Sequence, residues 1–166
     1  MLSAAIAWSG IAASDAGAEP LELFAVSDAV RVFEDGYGLP EKQPGEIQVF
    51  GVRNEVVSAQ CVVRANEDLK DLTVVTGPLP QADASATLPA EAIEWNFVES
   101  ILIEENTRKV DKNDLTRPAP ARVPDLLSDE RQCALAKGSL KAVYMTVRIP
   151  QDAKPGEYRG EVSVRS

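Results

Sequence analysis

Residues 143–166 read VYMTVRIPQDAKPGEYRGEVSVRS, and the fold turns on them. Val143, Met145, Val147 and Ile149 alternate with Tyr144, Thr146 and Arg148, the period-two pattern of a strand with one buried face. Tyr158, Gly160, Val162 and Val164 alternate in the same way with Arg159, Glu161, Ser163 and Arg165. Pro155 and Gly156 suit the two central positions of a type II turn, which predicts a β-hairpin closing the chain. A lone hairpin is marginal in water, so this one needs a larger sheet built from the residues before it.

Those 166 residues suffice for one domain with its own core. Eleven prolines, ten glycines and many Val/Ile/Thr runs favour strands over helices. Seventeen basic against 26 acidic residues leave a net charge of −9 with no basic cluster, which argues against a nucleic-acid partner. Histidine is absent, so the commonest metal ligand and the usual general base near neutral pH are both missing.

The opening MLSAAIAWSGIAASDAGAEP differs in composition from the rest. Its apolar run over residues 2–13 is too short to span a bilayer, and Ala16-Gly17-Ala18 offers an A-x-A cleavage site. Residues 1–18 therefore read as a secretory signal peptide, although no Lys or Arg precedes the apolar run. The alternative is an apolar first strand. Export would permit a disulfide between Cys61 and Cys133. Against it, Cys61 alternates with Val57, Ala59, Val63 and Ala65, as a small buried hydrophobe would.

Upstream of the closing stretch, short strands are expected around residues 22–26 and 29–33, with a Pro/Gly loop over 37–46. IQVFGVRNEVVSAQCVVRA reads as two strands with Arg53, Asn54 and Glu55 at the corner, and DLKDLTVVT as another. AEAIEWNFVESILIEE reads as a long strand with Trp95, Phe97, Ile101 and Ile103 on one face. Residues 104–139 show no period and carry Pro118, Pro120 and Pro124, so they are expected to form a long irregular loop. The expected fold is all-β: an immunoglobulin-like antiparallel β-sandwich of seven to nine strands over residues 19–166.

Several segments occur in an order that resembles the N-terminal β-sandwich domain of bacterial proteins related to glycoside hydrolase family 123. They are VRVFED, VRNEVVSAQCVVRA followed by LKDLTV, then VPDLL, and LKAVYMTVRIPQDAKPGEYRGEVSV. The most specific are Arg53-Asn54-Glu55 with Gln60, Pro124-Asp125-Leu126-Leu127, and residues 150–160. The resemblance implies a sandwich that precedes a catalytic (β/α)-barrel hydrolysing terminal N-acetyl-β-galactosaminides. There the substrate's acetamido group acts as nucleophile, assisted by an Asp-Glu pair. This chain holds no such barrel, so it resembles the non-catalytic front part of an exported or periplasmic enzyme, with no cofactor or metal of its own.

Individual residues admit sharper readings. Asp129-Glu130 is an Asp-Glu dipeptide, but neighbours on an extended chain point to opposite faces, and the family pair belongs to the barrel. Asp111, Asn113 and Asp114 begin like a calcium loop; Thr116 and Arg122 stand where an EF-hand needs Gly and Glu, leaving only an irregular oxygen site. Arg53 and Glu55 suit bracing of a corner at Asn54. Trp95, Phe97 and Tyr37 are the aromatics that would stack on sugar, although alternating aromatics are first of all core. Trp95, Tyr37, Asp125, Leu126 and Leu127 are thus the candidate glycan or inter-domain contacts. The expected partner is a C-terminal barrel of the same polypeptide, and the rival reading is a free-standing carbohydrate-binding or surface-interaction module.

Overall fold

The computed structural model describes residues 2–10, 19–40 and 46–166. Twelve strands follow one another along these residues: β1 (Leu2–Gly10), β2 (Leu21–Val26), β3 (Glu46–Gly51), β4 (Val56–Ala65), β5 (Leu69–Thr76) and β6 (Leu79–Pro80). Then come β7 (Thr87–Leu88), β8 (Ile93–Ile103), β9 (Ala121–Ser128), β10 (Cys133–Leu135), β11 (Leu140–Arg148) and β12 (Gly156–Arg165). One sheet runs β10-β5-β12-β1-β3, the other β2-β4-β11-β8-β9, and β6 with β7 makes a short ribbon. All pairings are antiparallel except that of β1 with β12. The all-β sandwich expectation holds, with more strands than the seven to nine expected.

Alternation sets the core. Cys61 and Val63 of β4, Val143, Met145 and Val147 of β11 and Phe97 of β8 meet Leu72, Tyr158, Val162 and Val164 from the facing sheet. Fully burying one such side chain contributes about 1.5–3 kcal/mol. The Tyr158 hydroxyl is satisfied in that core, donating to Lys154 O at 2.8 Å. A second cluster lies on the outer side of the β4 sheet, where residues 27–40 fold over Phe24, Val26, Val62, Leu140 and Ala142 and press Val32 onto them. That cover explains why β4 reads apolar on both faces.

Three expectations are corrected. First, β11 and β12 do not form a hairpin: β11 lies between β4 and β8, and β12 lies in the other sheet. The turn is at Pro150, where Ala153 N donates to Pro150 O at 3.2 Å, and the chain crosses between sheets before β12 starts at Gly156. Gly156 does have positive φ, +148°; the use it serves is close approach, because a Cβ there would strike the Gln81 amide. Second, residues 29–33 are not a strand, since they serve as the cover of the second cluster.

Third, the long irregular loop shrinks to residues 104–120, because β9 and β10 lie in the remainder. Pro124 sits within β9, an edge strand with a register irregularity, which is where a sheet tolerates proline. Leu2–Gly10 forms a strand between β12 and β3, while the Ala16-Gly17-Ala18 cleavage motif and residues 41–45 of the Pro/Gly loop lie outside the described residues. Both cysteines carry free thiols; Cys61 is buried and Cys133 half-buried, and burial raises the pKa of each.

Candidate functional site

The corner between β3 and β4 is structural. Asn54 takes φ +64°, a left-handed conformation asparagine tolerates. The Glu55 carboxylate accepts from Val52 N at 2.7 Å, and Arg53 Nε donates to Ala153 O at 2.7 Å. Backbone bonds between Asn54 N and Ile149 O and between Ile149 N and Glu55 O join the same corner to the end of β11. Arg53 and Glu55 are thus both occupied in bracing the two inter-sheet crossovers.

The uncovered surface lies at the other sheet's edge. β8 pairs with β11 only from Ile93 to Phe97, whereas it pairs with β9 from Phe97 to Ile103. The far half of β8 and β9 therefore run on as a two-stranded ribbon. Its inner side carries Ile101, 42% exposed, and Leu126, 54% exposed; Leu127, 48% exposed, pairs with Val98 on the outer side. At the ribbon's base the buried Lys141 pairs with Glu99 at 3.0 Å. Between Glu99 and Ser100 the register slips by one residue, and Asp125 is the extra residue. Such a bulge re-aims a side chain. Here Arg31 Nη1 donates to Asp125 Oδ1 at 2.9 Å and to Pro124 O at 3.1 Å.

The two remaining site candidates separate. Trp95 is a core residue, packed edge-on to Phe97 at 5.2 Å, with the Arg131 guanidinium 4.7 Å from its ring. Tyr37 is exposed on the covering segment, edge-on to Phe33 at 5.6 Å. Arg117, from the 104–120 loop, lies 4.7 Å from the Tyr37 ring and 4.9 Å from that of Phe33. The same guanidinium grips both Asp35 oxygens, at 2.8 and 2.6 Å, and this hydrogen bonding lowers the Asp35 pKa. Phe50, at the end of β3, is more exposed than Tyr37, and the sequence did not single it out. Its signal was there: Ile47 and Val49 turn inward, so Phe50 must turn out.

Three hollows flank these features. One, about 460 Å³ around Gln81 and Lys154, is bound up in its own hydrogen bonds. Gln81 Nε2 donates to Pro155 O, Ser85 Oγ to Gln81 Oε1, and Lys154 Nζ to Ser85 O. A second, about 330 Å³, lies by Asp35, Leu102, Arg117 and Arg122. The third, about 240 Å³, lies on the outer face of the β4 sheet between residues 28–32 and β9, and it brings Asp125 and Leu127 together with Gln60, Val98 and Tyr144. Asp111 does not face any of these; its carboxylate accepts from Asn113 N, and no cluster of three or more metal-ligating side chains occurs among the described residues. Asp129-Glu130 sits at the turn after β9, where Glu130 N donates to Ser128 Oγ.

Two packed sheets with an exposed edge ribbon define a β-sandwich domain. Residues 38–166 match the glycoside hydrolase 123 N-terminal domain, and the chain belongs to that family. Among solved structures it is similar to a family 123 glycoside hydrolase from Clostridium perfringens, described for glycolipid glycan hydrolysis, with TM-score 0.68 and 14% identity. The match covers 87% of this chain but only 24% of that protein, so this chain spans about a quarter of its length. No curated protein matches the sequence.

Proposed function

We propose that this domain is the non-catalytic front part of an exported glycoside hydrolase and docks on the enzyme's catalytic barrel through the β8–β9 ribbon. The observation that carries this reading is the apolar inner side of the ribbon, Ile101 and Leu126, which no other strand among the described residues covers. Exposed apolar groups gathered in one place mark interaction surfaces. The small share of the clostridial enzyme that the chain matches supports a larger parent protein. Residues 1–18 would direct export, and the barrel would supply every reacting group; the sandwich alone would turn over no N-acetylhexosaminide.

The encoding gene, read past the codon for Ser166, should continue into alternating strands and helices with an Asp-Glu pair at a strand end. Co-expressed as two pieces, sandwich and barrel should copurify. A double Ile101→Asp, Leu126→Asp variant should weaken that association by about tenfold or more, since each buries a charge in place of an apolar contact. Association untouched by the double variant would refute the ribbon as the docking surface.

A further inference from the structure

The 240 Å³ cleft holds a buried acceptor that the fold leaves unmatched. Gln60 is 3% exposed, and its Nε2 donates to Ser27 O and to Val30 O, both at 3.0 Å. Backbone carbonyls only accept, so the nitrogen must face them and Oε1 must turn the other way. Oε1 has no hydrogen-bond partner among the described residues, and Gln60 lines the cleft. A buried acceptor left unmade is unfavourable, so a donor entering the cleft would relieve it. Across the sheet Gln60 pairs with Tyr144, and Tyr144 pairs with Asn96, forming an amide–phenol–amide row over three strands. The Asn96 amide is fixed by the same logic, its Nδ2 donating to Ser128 O at 2.9 Å.

The other walls settle the class of ligand. Val98 and Leu127 are apolar, Tyr144 presents a half-buried ring, and Asp125 is already matched by Arg31. Arg31 also lines the cleft, but its guanidinium is engaged by Asp125 and by Pro124 O, which disfavours anions. Drug-sized ligands occupy about 300–1,000 Å³, so this cleft suits one ring. We propose that it binds a single neutral, hydroxyl-rich six-membered ring, a saccharide unit. Its hydroxyls donate to Gln60 Oε1 and the Asp125 carboxylate, and its apolar face lies against Tyr144. The assignment is independent of barrel docking, which uses the inner side of the ribbon.

The test is a titration of the full chain with glucose, galactose and their N-acetylamino derivatives, followed by amide chemical shifts. Saturable shifts at Gln60, Val98 and Tyr144 are expected. Tyr144→Ala should weaken binding about tenfold or more, the loss of one stacking aromatic. Asp125→Asn, a change at an exposed side chain, should weaken it several-fold while the unfolding temperature stays put. The proposal is overturned by the absence of saturable shifts with every sugar. Affinity unchanged in both variants overturns it too, as does saturation by tetramethylammonium in place of the sugars.

Discussion

Single side chains tie distant loops of this domain together. Arg117 joins residue segments that share no strand, with Asp35 in its fork and two aromatic rings beside it. Because Asp35 titrates below its ordinary value in the folded chain, its contribution is fully present above the unfolded pKa, about 3.9, and is lost as pH falls through the lower folded value. The stability difference between the native chain and Asp35→Asn, followed by urea unfolding, should therefore be constant near neutrality and shrink below about pH 4. A difference independent of pH down to about pH 3 would show that the clamp is unlinked to Asp35 ionisation. Nothing in the sequence marked this pair, because its members lie on opposite sides of six intervening strands. The corner at Asn54 was legible, since its cause is local: a residue tolerant of positive φ flanked by two long polar side chains.

Strands were readable wherever alternation was clean, and their partners were not. β4, β5, β8, β11 and β12 follow from period-two patterns, yet the pattern cannot say which sheet a strand joins. Of the strands hidden in the expected loop, β9 carries proline, which read as loop because the rule against proline holds for central strands and relaxes at edges. The candidate site suffered in the same way. Leu126 and Leu127 were recognisable as apolar residues without a pattern, but the bulge that turns Asp125 towards Arg31 needs the register of β8 to be seen. Close packing of elements is equally invisible in a pattern. Gly160 of β12 lies against β6, where a Cβ would overlap the Leu79 side chain and stand 2.9 Å from Pro78 O. Gly160→Ala should cost about 1–3 kcal/mol, as overpacking does, measured as a lower denaturant midpoint with an unchanged m-value. A midpoint equal to that of the native chain would mean that β6 moves aside freely.

Across the whole molecule, the sandwich is held at its crossovers, from β3 to β4 and from β11 to β12, which meet at Asn54, Arg53 and Ala153. The first strand has a different standing. β1 is the sole link between β12 and β3 among the described residues, pairing with β12 from Leu2 to Gly10 and with β3 from Leu2 to Ala7. If residues 1–18 are also the export leader, maturation removes a plank from the middle of a sheet. In hydrogen exchange, β3 and β12 amides should lose protection in a 19–166 chain relative to the 1–166 chain, and equal protection would show that the two strands hold without it. A peptidase acting at Ala18 would then do more than release the protein. It would leave two strand edges facing one another across a slot one strand wide, with open backbone donors and acceptors on both banks.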